Sequence, residues 1–344
     1  MYRKKFPKTV IEFTFVGPES LTSFGDKYTS IRKKLANTRG MEWAARNIHS
    51  CGGAIEIPTD PLMSMTKAVD SFKKLNNILV NQHGLSGFTR EYGGGGCHMH
   101  INLSSFSEND IRIIVKNIYT YMTDNPWIAW GFLDPGDNVS SKSLLSGKNL
   151  YDKSYHSECS SLAFSKGSHD NRASAFKESL FDKMIRTNKR TLPKYLNKYE
   201  IAYYYPIYDL DKSYAVRYSD STENKQERFT TTSKTIEFRF FDMPSSDKEL
   251  VFNISVAHAI FNKCCNNFKY RNFYEDKGEL LAFPFSNMTM TKMKNMSAAQ
   301  AIRKFNHSIY ELGLYNNDFK KLHQTNIKKR FKLSKQFKRG NYLS

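Results

Sequence analysis

Six residues of this chain combine donor types and spacings that suit cations and phosphates. Glu12 sits at the centre of VIEFTF, Glu56 at the centre of AIEIP, and Glu237 within TIEFRFF. His98 and His100 are two apart in CHMHIN, and Arg239 lies two after Glu237. Residues two apart on an extended chain share a face. His98 and His100 therefore point one way, as do Glu237 and Arg239. If the four segments belong to one sheet, their faces form a patch of carboxylates, imidazole and guanidinium. Crowded carboxylates repel unless cations neutralise them, and an oxygen-rich site with one imidazole suits Mg²⁺ or Mn²⁺. Taken singly, each residue has an ordinary reading. A strand Glu usually faces solvent, a lone His is more often structural, and Glu237 with Arg239 fits an exposed pair. The recurrence of the pattern in four segments, each flanked by apolar residues, points to a site.

The elements that must position these residues follow from periodicity. Residues 8–16 alternate as a strand, with Val10, Glu12 and Thr14 on one face and Ile11, Phe13 and Phe15 on the other. Residues 53–58, 214–219 and 234–241 and the CHMHINLS segment also read as strands. Residues 61–82 carry Leu62, Met65, Val69, Phe72, Leu75 and Leu79 at helical spacing, with Gly84 as a stop. Helices are also expected over 107–123, capped by Ser107, over 171–190, over 247–268, where Ser246 and Glu249 suggest a capping box, and over 297–314. The run Gly93–Gly96 lacks the Lys-Ser/Thr of a phosphate loop and enters a strand, so close backbone approach is its simplest use. Strands and helices mix without a βαβ rhythm. The expected fold class is α+β with a mainly antiparallel sheet.

Charge and composition bound the remainder. The 344 residues hold 52 Lys or Arg against 33 Asp or Glu, a net charge of +19, which points towards polyanions. The charge is uneven: after Asp318 there is no acid, and 320–339 carries nine Lys or Arg. That tail reads either as a salt-sensitive contact for nucleic acid or another polyanion, or as a solvated, partly helical terminus. The domain reading is one unit over 1–318, with 134–170 as a loop-rich insertion and 319–344 as a basic tail. No apolar run reaches the roughly 18 residues of a membrane span, and the basic start lacks a signal-peptide core. Five Cys without a CxxC argue against a disulfide framework or zinc ribbon and for a reducing, cytoplasmic setting. The Cys residues read as packed thiols, and no nucleophile elbow or GxGxxG is present.

Four motifs, in order, resemble those of carboxylate–amine ligases of the glutamine-synthetase superfamily, in particular the phage-type amidoligases. Gly95-Gly96-Cys97-His98-Met99-His100 is similar to the Gly-Ser-Gly-Met-His-x-His strand of glutamine synthetases. Thr235-Ile236-Glu237-Phe238-Arg239-Phe240 is similar to their Ile-Glu-Val-Arg-Phe strand. Val10-Ile11-Glu12-Phe13-Thr14 and Gly53-Ala54-Ile55-Glu56-Ile57-Pro58 resemble the two leading amidoligase strands. The resemblance spans about residues 8–265. It implies a curved, mainly antiparallel sheet flanked by helices, with a metal-binding concave face.

The resemblance also implies roles. Glu12, Glu56, His98 and Glu237 match metal positions, Arg239 a phosphate- or substrate-contacting arginine, and His100 a substrate contact. Arg217, in YAVRYS, is similar to a nucleotide-binding arginine, and Arg228 is the nearest counterpart of a further one. Glu237 and Arg239 would serve catalysis. Thr14 stands where the family has a second Glu, leaving one carboxylate missing unless Glu19 or another acid replaces it. The implied reaction is ATP-dependent: a carboxylate is phosphorylated to an acyl phosphate, and an amine displaces phosphate to form an amide. The implied cofactors are ATP and Mg²⁺ (or Mn²⁺), and the partners small-molecule or peptide carboxylates and amines. A phage-encoded ligase would act in the host cytoplasm or travel with the virion. Two alternatives stand beside this: a degenerate ligase fold serving as a polyanion-binding or virion structural protein, and an unrelated α+β protein.

Overall fold

A computed structural model describes residues 7–16, 24–51, 54–62, 64–87, 96–125, 127–132, 216–220, 234–266 and 296–338. The expected 134–170 insertion and 171–190 helix lie outside these residues, as do Arg228 and Glu19.

Alternating apolar residues build β1 (Thr9–Val16), β3 (Ala54–Pro58), β5 (Cys97–Asn102) and β7 (Lys234–Phe241), and the shorter or more polar strands β2 (His49–Cys51), β4 (Ser86–Gly87) and β6 (Val216–Asp220) pair with them. They form one antiparallel sheet in the order β2-β3-β1-β5-β7-β6, with β4 beside β1. The chain is α+β. The expected strands appear; within YAVRYS the described strand runs from Val216, and Tyr214 and Ala215 lie outside the described residues.

One sheet face is apolar. Ile11, Phe13, Phe15, Ile55, Ile57, Met99, Ile101, Ile236 and Phe238 are all fully buried on it. Helix α3 (Met65–Asn76) is capped by Ser64, whose hydroxyl accepts from Lys67 N. It packs Phe72 on Phe13 with ring centroids 5.3 Å apart, and the chain continues through a π-helical turn at Asn77–Gln82. Helices α1 (Phe24–Ala36) and α2 (Glu42–Asn47) precede it. Helix α4 (Glu108–Asp124) is capped by Ser107, as its sequence predicts. It is tied to α6 (Asp247–Asn266) by a bond from Asn117 Nδ2 to Cys264 O at 3.0 Å. Helix α6 meets β1 where His258 Nε2 and Thr9 Oγ1 lie 2.9 Å apart. Only half of the expected capping box forms at α6. Ser246 Oγ accepts from Glu249 N, but the Glu249 carboxylate accepts from Ser245 N and Oγ instead of Ser246 N. At α7 (Ala298–Glu311) Ser297 and Gln300 complete both halves.

The basic segment is helix α8 (Lys320–Lys338), and one side of it is core. His323, Asn326, Ile327 and Phe331 are buried. Asn326 Nδ2 donates to Gly131 O at 2.9 Å, and Phe331 meets Trp130 edge-on at 5.9 Å. Both partners lie on α5 (Trp127–Phe132), every residue of which is buried. Trp127 Nε1 in turn donates to Ser308 Oγ of α7 at 2.8 Å. His323 sits among Phe132, Phe252, Phe305 and Phe319. Burial among these rings pushes its pKa down to about 3.

Candidate metal centre

The other sheet face carries the polar residues, and pairing sets their neighbours. Opposed residues of an antiparallel pair lie on the same face about 5 Å apart. Glu12 is opposite His98, His100 is opposite Glu237, and Glu237 is also opposite Arg217. Three central strands therefore converge on one place. Glu56 is opposite Thr14, one face position further along β1, and His49 of the edge strand β2 occupies the register position opposite Glu56.

This face is not a solvent face. Glu12, His100 and Glu237 are each 1% exposed, His98 2% and Arg239 5%. Burial excludes the ordinary reading of a strand Glu for Glu12 and Glu237, because an isolated carboxylate out of water costs several kcal/mol unless paired or bound to a cation. Glu56 is only half-buried.

The contacts within the cluster are short. His100 Nε2 lies 3.1 Å from Glu12 Oε2 and 3.5 Å from Glu237 Oε1. His98 Nδ1 lies 3.4 Å from Glu237 Oε1 and 3.9 Å from Glu12 Oε2. An Arg239 Nη donates to Glu237 Oε1. Burial and the neighbouring Arg239 guanidinium push the His98 pKa down to about 3, against the pull of Glu237 and Glu12. His98 is thus neutral at ordinary pH, and its carboxylate contacts are ion–dipole contacts, not ion pairs. Its Nε2 has no hydrogen-bond partner among the described residues. Among the described side chains, the Glu12 and Glu237 carboxylates lie beside the Arg239 guanidinium and two imidazoles, a set of donors that suits a cation.

Glu12, His100 and Glu237 each offer a ligand atom within 4.8 Å of the others. Ligands about 2.1 Å from a divalent ion at octahedral or tetrahedral angles lie roughly 3.0–3.4 Å apart. The two His100 contacts nearly match such edges, so the donor set fits Mg²⁺ or Mn²⁺. The arrangement puts His100 in this triad and His98 beside it, 3.9 Å or less from both carboxylates. Glu56 stands outside the triad, and Arg217 is placed by its backbone register alone.

Two further features were hidden in the sequence. Thr14 does not fill the place of a carboxylate: its Oγ1 accepts from Gly96 N at 3.3 Å, and its N–H donates to Gly96 O at 2.9 Å. Gly96 has φ +147°, and a Cβ there would lie 2.7 Å from Phe241 O. The glycine admits the close approach of β1, β5 and β7 at the start of β5. Register then shifts between β5 and β7 across Cys97 and Met99. The resulting bulge gives β7 one extra residue. Arg239 stays on the site face, while Phe240 and Phe241 both join the aromatic cluster around Phe132.

Fold and cluster together define an α+β protein with a buried carboxylate–imidazole–guanidinium centre spanning adjacent antiparallel strands. No family model and no curated protein matches the chain. Among solved structures, the complex between prokaryotic ubiquitin-like protein Pup and its ligase PafA is similar with a TM-score of 0.37 and 10% sequence identity, covering 98% of this chain. The match spans 65% of the length of that chain. A likeness at that level carries no functional information.

Proposed function

We propose that this chain is an ATP-dependent carboxylate–amine ligase that works through an acyl phosphate. One observation carries the reading. The Glu and His residues of three ordered motifs, far apart in sequence, meet in one buried cluster whose spacing fits a divalent cation. Bound Mg²⁺ would supply charge neutralisation for phosphoryl transfer, held by Glu12, His100 and Glu237, with Glu56 the next carboxylate on that face. Arg239, anchored on Glu237, would pair with phosphate oxygens, which its planar fork suits better than a lysine would. Arg217 is the second candidate for the nucleotide, followed by Arg228. A peptide or small-molecule carboxylate is the expected acceptor of the phosphoryl group. The setting would be a phage-infected cytoplasm. The chemistry requires no protein nucleophile, and Cys97, buried with its thiol pKa pushed up, is not one.

The test is ADP release that depends on Mg²⁺ and on pooled carboxylates and amines. Glu237→Ala and His100→Ala should abolish it, and turnover retained by both would refute the assignment. One observation favours the second reading, a ligase fold without turnover: Thr14 is committed to Gly96, so the triad has one carboxylate fewer than the family pattern. That reading predicts Mg²⁺ binding without ADP release.

A further inference from the structure

Helix α8 is split by its packing into two faces with different fates. His323, Asn326, Ile327 and Phe331 are turned into the core. At 100° per residue, Lys321, Lys328 and Lys332 fall within a stripe roughly 40° wide, centred roughly 140° from that buried stripe. All three are exposed, and none has an acidic partner among the described residues. The helix holds no acid at all, so the i,i+4 ion pairs that usually stabilise a surface helix are missing. Lys320 and Lys321 occupy the first turn, where the helix dipole disfavours cations. Lys320 and Lys321 are thus placed against the stability of their own helix, which suggests an external anion.

We propose that the outward face of α8 is a docking surface for the phosphate backbone of a nucleic-acid duplex. Three observations select this partner. From Lys321 to Lys332 the helix advances about 16 Å, a distance over which a duplex presents on the order of ten phosphates. An anionic membrane is disfavoured because Ile327 and Phe331 are used by the core, which leaves Leu322 as the one apolar side chain of α8 with substantial exposure among those described. Lipid-bound helices need an apolar face of their own. Single strands are disfavoured because α8 shows no exposed aromatic among its described side chains, and base stacking is what holds unpaired strands. The surface is independent of the metal centre and does not rest on the ligase reading.

The test uses the full chain and a short fluorescent DNA duplex of arbitrary sequence, with binding measured across a salt series. Lys321→Gln, Lys328→Gln and Lys332→Gln combined should make the slope of log K against log salt shallower by about 2 to 3 and weaken binding on the order of 100-fold near 0.1 M salt. An equal charge loss elsewhere, through Lys33→Gln, Lys34→Gln and Lys67→Gln, should leave the slope almost unchanged. Both variants alter exposed side chains only, and equal thermal midpoints would show that folding is intact. Equal slopes in parent and α8 variant would overturn the proposal. So would an equal fall in both variants, tighter binding to a single strand than to the duplex, or binding to phosphatidylserine vesicles in place of the duplex.

Discussion

Replacing Glu12 by Gln separates a metal centre from a structural ion cluster. Ligand atoms of Glu12 and Glu237 lie within 4.8 Å of each other in a buried site. Two unit charges at that separation repel by about 3 kcal/mol at an effective dielectric near 20. Gln keeps the shape of Glu12 and an acceptor for His100 Nε2 but removes the charge. A charge-assisted hydrogen bond exceeds a neutral one by about 1 kcal/mol. Without divalent metal, these two effects favour Glu12→Gln over the parent by about 2 kcal/mol, less the attraction between Glu12 and the Arg239 guanidinium. Metal reverses the order. At a hundred times its Kd, Mg²⁺ should stabilise the parent by about 2.7 kcal/mol, and the variant by far less. The assay is urea unfolding of both proteins in EDTA and in saturating Mg²⁺ or Mn²⁺. A parent midpoint indifferent to both ions refutes the metal reasoning. A variant several kcal/mol less stable in EDTA refutes the repulsion argument and makes Glu12 a structural partner of His100.

Two other outcomes follow from the packing. His323, 2% exposed with its pKa at about 3 instead of the ordinary 6.5, takes up a proton on unfolding below pH 6.5, so stability falls with pH until about pH 3. Between pH 7 and 5 this one residue should cost about 2 kcal/mol. His323→Phe, which suits the surrounding rings, should remove that share of the pH dependence in paired urea titrations, whereas His98 and His258, shifted the same way, contribute equally to both proteins. Gly96→Ala should destabilise by about 2 kcal/mol or more, through positive φ and the contact with Phe241 O. A thermal midpoint equal to that of the parent would show that the start of β5 can shift freely.

Much of the frame was legible in the chain. Alternation in VIEFTF, CHMHIN and TIEFRFF marks strands because period two separates an apolar face from another. Ser64, Ser107 and Ser297 mark helix starts because a side-chain oxygen satisfies an otherwise orphaned N–H. Helix α5 carries no such signal: WIAWGF is apolar on every side, so periodicity has nothing to contrast. Helix α8 did carry one, in His323, Ile327 and Phe331 at spacings of four, but the surrounding lysines dominate its composition. A few buried positions are enough to dock a helix whose other faces remain in water.

The sequence by itself determined which residues share a face within each strand, and hence that Glu12, His98, His100, Glu237 and Arg239 each had a defined side. That is a local consequence of backbone geometry. Which faces meet was decided by the tertiary structure alone. Strand order and register bring both His98 and His100 against Glu12 and Glu237, with His100 in the triad, leave Glu56 a step away, and commit Thr14 to Gly96. Burial was likewise a tertiary decision. It turned glutamates that a solvated sheet would tolerate into charges that need a partner, and it divided a uniformly basic helix into a core face and an exposed one.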